Sequence, residues 1–115
     1  MRLECIVSDI TPLKVPKVYR VKNTCGEVEL EIELHEDVVE APRKYSKAIY
    51  EVTSNKEECL AHYFCAHGFV VSSTQLENTH RTVISLHGFL VIIKSKGNLG
   101  LNTMDHVYVG ATFSP

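Results

Sequence analysis

Apolar and polar residues alternate with a period of two along most of this chain, and no stretch sustains a helical period. The alternation predicts strands near 2–9, 17–22, 27–34, 47–53, 67–73, 81–86, 89–95 and 105–112. Residues with turn chemistry separate them: Pro12 and Pro16, Asn23-Thr24-Cys25-Gly26, Pro42, His87-Gly88 and Gly97-Asn98-Leu99-Gly100. Many short strands joined by such turns imply an all-β, antiparallel architecture, a closed barrel or a sandwich.

Two hairpins can be given a register. Joining 17–22 to 27–34 through residues 23–26 sets Lys22 opposite Glu27, Arg20 opposite Glu29, Val21 opposite Val28 and Tyr19 opposite Leu30. Charge then meets charge on one face and apolar meets apolar on the other, and a one-residue slip would bury the glutamates. Glu27, Glu29, Glu31 and Glu33 form an acidic row, half neutralised by Arg20 and Lys22. The row reads as a solvated strand face, or alternatively as a stripe for a basic partner.

The second hairpin turns at His87-Gly88, where two residues must take positive φ. Leu86 then faces Phe89, Ile84 faces Val91 and Thr82 faces Ile93, while Ser85 meets Leu90 and Val83 meets Ile92 on the opposite side. Both faces are largely apolar, unlike a barrel strand with one side in water. One face fills the core. The other, the side of Ser85, is covered either by a loop or short helix within 54–66 or by a protein partner.

A length of 115 residues allows one domain, 1–115, with one core. A hydrophobic fraction of 44% against 23% charged residues fits a globular rather than a disordered chain. The net charge of -2 provides no global field for nucleic acid. The longest apolar runs are strand-length, so no membrane span is expected. Met1-Arg2-Leu3-Glu4 has no signal-peptide character, which points to a cytoplasmic address. There Cys5, Cys25, Cys59 and Cys65 are expected as reduced thiols, hyperthermophile cytosol being the exception.

Candidate chemistry is thin. Cys59, His62, Cys65 and His67 are ligand types for zinc, yet all four crowd into nine residues, a spacing that matches no common finger. Core or turn thiols beside surface histidines account for them as well. A Cys65 nucleophile with His67 or His80 would need a stabilised thiolate and an orienting third group, and neither is visible. No phosphate-binding glycine loop or polymerase-type acidic cluster is present, so neither a catalytic site nor a cofactor is expected. Arg43-Lys44-Tyr45-Ser46-Lys47 and the pair Lys94 and Lys96 are the only basic groups of note, and Phe64, Phe69, Phe89, Tyr108 and Phe113 fall where core residues are expected.

Three blocks carry a family resemblance: Phe64-Cys65-Ala66-His67-Gly68-Phe69-Val70-Val71, Thr82 through Ile93, and Asn102-Thr103-Met104-Asp105-His106-Val107-Tyr108. Together they resemble the small G component of archaeal RNA polymerase, counterpart of the eighth subunit shared by eukaryotic nuclear polymerases. The resemblance is specific over about residues 64–109 and weak before them. It implies an oligonucleotide/oligosaccharide-binding (OB) type barrel with extra strands, and a non-catalytic accessory subunit that docks on the largest subunit and supports assembly. Nucleic acid would then be met only through the complex. The residues expected to dock are Val83, Ser85, Leu90 and Ile92, with His87, Gly88, His106 and Tyr108 adding contacts. A free-standing single-strand-binding OB protein and a small zinc module are the alternative readings.

Overall fold

The computed structural model describes residues 1–39 and 45–115. Pro42, Arg43 and Lys44, read above as turn and basic residues, lie outside the described residues. The strands are β1 (Arg2–Pro12), β2 (Val18–Cys25), β3 (Val28–His35), β4 (Lys47–Thr53), β5 (Phe64–Leu76), β6 (Thr79–Leu86), β7 (Phe89–Ser95) and β8 (His106–Ser114). Among the described residues there is one short helix, α1 (Lys56–Leu60), which starts at an Asn55 cap whose side chain accepts from the Glu57 N–H at 2.9 Å. The strands close into an antiparallel barrel in the order β1-β2-β3-β7-β6-β5-β8-β4. The all-β closed barrel is the expected fold class. Among the described residues, no helix is long and apolar enough to cross a membrane.

Alternation places one side of each strand inside the barrel. Leu30 and Ile32 of β3, Tyr50 of β4, Val70 of β5, Ile84 of β6, Val91 and Ile93 of β7 and Val109 of β8 are fully buried there. The β6–β7 hairpin has the expected register, from Leu86 opposite Phe89 to Thr82 opposite Ile93. His87 and Gly88 both take positive φ, 55° and 97°, which lets this two-residue turn follow the twist of its strands.

The first hairpin differs from expectation. Asn23, Thr24 and Cys25 continue β2 instead of turning, and only Gly26-Glu27 separates Cys25 from Val28. Asn23 is buried within the barrel, where its amide donates to the carbonyls of Val21 and Leu30 at 3.3 and 3.0 Å. An apparent turn residue therefore has its amide N–H groups bonded as a strand residue, while its buried Oδ1 has no hydrogen-bond partner among the described residues. Arg20 consequently lies opposite Glu33, Lys22 opposite Glu31, Val21 opposite Ile32 and Tyr19 opposite Leu34. The offset from the expected register is an even number of residues, so every side chain keeps its face.

The cysteines also depart from expectation: they are disulfide-bonded as Cys5–Cys25 and Cys59–Cys65. The first ties neighbouring strands β1 and β2 inside the barrel. The second closes the short segment carrying α1 onto the start of β5. In the chain-entropy view, a link across a sequence separation of 20 stabilises by about 3 kcal/mol.

At Gly68 strand β5 approaches the backbone of β6 closely. A Cβ there would collide with the backbone carbonyl of Ser85 and come within 2.8 Å of Leu86 Cδ2. Backbone cannot yield as a side-chain tip can, so Gly68→Ala should destabilise by about 3 kcal/mol, the upper end of overpacking costs. Denaturant unfolding measures this, and a loss below about 0.5 kcal/mol would show that the approach is loose.

Two interior phenols make stability depend on pH. Tyr19 donates to the Val39 carbonyl at 2.8 Å, and Tyr50 is fully buried. Burial raises the pKa of both well above the ordinary tyrosine value near 10. The unfolded chain releases these protons near pH 10 while the folded chain retains them. Their contribution is therefore complete below about pH 10 and is lost progressively above it. In an alkaline titration, the phenolate absorbance of Tyr19 and Tyr50 should appear only together with unfolding. Full phenolate absorbance with the fold intact would contradict this.

Candidate functional site

Pairing across the barrel wall assembles one continuous outer face from β5, β6, β7 and β8. Leu90 of β7 lies opposite Ser85 of β6, Ser85 opposite Phe69 of β5, and Phe69 opposite His106 of β8. The Leu90 N–H donates to the Glu33 carboxylate at 2.8 Å, and Arg20 grips the same carboxylate at 2.7 Å. One row thus runs from a bound ion pair, through Leu90 and Ser85, to an aromatic end. Next to it His67 lies opposite Tyr108, their rings 4.9 Å apart. His67 stacks on His106 at 5.3 Å, and His106 lies 6.3 Å from Phe69.

Phe69 corrects the expectation that it belongs to the core. It is 39% exposed, and Val71 beside it is 41% exposed, because Ala66, Gly68 and Val70 occupy the inward positions of β5. A bulge between Val70 and Ser72 also places Val71 on the surface. Neither residue was among those expected to dock. The usable signal was local: Phe69 sits between two residues that alternate inward, one a glycine with no side chain to expose.

The other docking candidates divide by exposure. Ser85, Leu90 and Tyr108 are half-buried, whereas His87, Gly88 and His106 are exposed. Val83 and Ile92 point away from the core yet are only 6% and 9% exposed. They occupy the centre of the row Lys22, Glu31, Ile92, Val83 and Ser72. Helix α1 does not cover them, since it packs on β4, β5 and β8 at another part of the wall. Beside the His87-Gly88 turn, a cavity of about 200 Å³ opens among Leu34, Val38, Phe64, Leu86, His87 and Phe89.

The four zinc candidates go to different places. Cys59 and Cys65 are bonded to each other, leaving no thiolate for a metal and none for a Cys65 nucleophile with His67 or His80. His62 is buried over Gly110, with Nδ1 2.8 Å from Thr112 Oγ1 and Nε2 3.4 Å from Glu51 Oε1. His67 stands apart on the outer face. His80 is buried between Ser73 and Gln75, at 2.8 and 3.1 Å. Among the described residues, no group of three or more His, Cys, Asp or Glu could hold a metal ion.

The acidic row is matched more fully than the sequence suggested. Glu33 pairs with Arg20 at 2.7 Å, Glu31 with Lys22 at 4.0 Å and Glu27 with Lys96 at 3.2 Å, while Glu29 lies opposite Lys94. Lys94 and Lys96 therefore face carboxylates and form no free basic patch. Exposed pairs of this kind add little stability, but they cancel the field of the stripe.

Comparison with known proteins shows the family of the chain. The model of the RpbG family, the G component of DNA-directed RNA polymerase, matches residues 1–112. The chain belongs to that family. The match includes the N-terminal half, where the sequence blocks alone gave little. Members of the family are accessory components of a polymerase complex and have the other polymerase subunits as partners. The chain is 32% identical to the DNA-directed RNA polymerase subunit Rpo8 of Sulfolobus acidocaldarius, with 94% of this chain and 93% of that protein covered. It is 28% identical to the Rpo8 of Saccharolobus solfataricus, over 92% and 87% of the two chains. A crystal structure of the cytoplasmic molybdate-binding protein ModG covers 97% of this chain and 89% of that chain. Its TM-score of 0.38 and identity of 12% carry no argument about ligands.

Proposed function

We propose that this chain is a non-catalytic accessory subunit of an archaeal DNA-directed RNA polymerase that docks on the largest subunit. The contact is the outer face of β5 to β8, and its role is to support assembly and stability of the complex. The observation that carries this reading is the continuous run Leu90, Ser85, Phe69 and His106, flanked by His67, Tyr108 and Val71, on a wall whose inner side already fills the core. Clustered aromatic and aliphatic side chains of this kind are typical anchors, while scattered apolar residues are not.

The cavity beside His87 extends the surface at one end. At about 200 Å³ it is smaller than ordinary small-molecule sites, roughly 300–1,000 Å³, and suits one apolar side chain of a partner better than a cofactor. Val83 and Ile92, nearly buried, support the face from within it. The exposed contacts fall to Phe69, Val71, His106 and the His87-Gly88 turn, with the half-buried Leu90, Ser85 and Tyr108 between them.

The test is incorporation into the reconstituted polymerase. Leu90→Ala or Phe69→Ala should weaken association by about 1–3 kcal/mol, roughly tenfold to a hundredfold, with little change in the melting temperature of the isolated chain. Phe69→Asp should block incorporation. Unchanged incorporation of a folded Phe69→Asp and Leu90→Asp double variant would show that another face docks.

A further inference from the structure

We propose that His67 and His106 form a two-histidine clamp for a single divalent transition-metal ion, of the copper and zinc class, on the outer face of β5 and β8. Sequence spacing could not pair them, because they lie 39 positions apart. The sheet pairs them instead. His67 is opposite Tyr108 and His106 is opposite Phe69, so the two histidines sit diagonally on one face of two hydrogen-bonded strands.

Nε2 of His67 and Nδ1 of His106 are 3.4 Å apart. Two imidazole nitrogens bound at about 2.0–2.1 Å to one tetrahedral ion are separated by about 3.4 Å, so the strands already hold the nitrogens at the required span. At this separation one nitrogen can carry a proton directed at the other, the donor being set by the tautomers. A metal ion takes that proton's place once a turn about χ2 aims both lone pairs at it. The rings are nearly parallel, 20° apart, and stand between Tyr108 on one side and Phe69 on the other, which limits how far they swing.

Imidazole nitrogen suits copper, nickel and zinc, and the absence of a nearby carboxylate cage among the described residues disfavours magnesium and calcium. Two protein ligands leave the remaining positions to water. His106 is exposed and His67 half-buried, so an ion can reach the pair from solvent. His62 and His80 are buried and hydrogen-bonded, and they do not compete. The two histidines also lie on the proposed docking face, but the titration reads the isolated chain, so its failure and a failure of docking are distinguishable.

The experiment is calorimetric titration of the tag-free full chain with copper(II) and with zinc(II) salts, comparing wild type with His67→Ala, His106→Ala and His35→Ala. One ion should bind per chain, copper more tightly than zinc. Either of the first two substitutions should weaken binding by about tenfold or more, and His35→Ala should leave it unchanged. Absence of one-to-one binding by the wild type, or wild-type affinity in His67→Ala or His106→Ala, would overturn the proposal. Nuclear magnetic resonance of the wild type needs no variant. Substoichiometric copper should broaden the ring signals of His67 and His106 first, and prior broadening of another histidine would equally overturn it.

Discussion

Closure of the sheet is the constraint on which the remaining features depend. Each strand of the barrel has a neighbour on both sides, and the ring is completed by β4 pairing with both β1 and β8. A closed ring has one inside, and alternation assigns every second residue to it. Once Ile84, Leu86, Val91 and Ile93 fill the interior, the other side of the same hairpin lies on the outer wall, where Val83 and Ile92 are nearly buried and Leu90 is half-buried. The outward position of Leu90, Phe69 and Val71 is thus a geometric consequence of closure.

Closure also fixes what lies beside what. β5 belongs to two pairs, with β6 and with β8, and so joins the hairpin read from the sequence to the C-terminal strand. Gly68 permits the close contact with β6 at Ser85, and Phe69 directly follows it on the outer side. His67, Tyr108 and His106 collect around Phe69 for the same reason. The charged rows on β2, β3 and β7 then form a neutral border to the apolar face, each glutamate having a cation opposite it. That balance leaves shape and apolar contact, rather than a long-range field, as the basis of recognition.

Much of the fold was legible from local pattern. The β6–β7 register follows from the two-residue turn that joins two runs rich in apolar residues. The β2–β3 register was not legible, because Asn23 and Gly26 carry the same turn signal. Only the interior shows that the Asn23 amide spans two carbonyls while Gly26 makes the turn. The disulfides were read wrongly for a different reason. Compartment is a statistical guide to redox state, whereas Cys5 and Cys25 are brought together by strand pairing that no spacing rule encodes. The face itself was half legible: Ser85 and Leu90 follow from the hairpin, but Phe69 and Val71 needed the β5 bulge and the inward placement of Gly68. His67 joined His106 only through the pairing of distant strands.

Side-chain oxidation footprinting of the chain, free and within the assembled polymerase, tests the central claim most directly. Hydroxyl radicals modify exposed aromatic and aliphatic side chains, so covered residues lose reactivity. On the docking account, Phe69, Leu90, His106 and Tyr108 become protected in the complex. Tyr63 and Ile6, each 66% exposed and away from that face, keep their reactivity. Protection of Tyr63 and Ile6 with unchanged reactivity at Phe69 and His106 would contradict it.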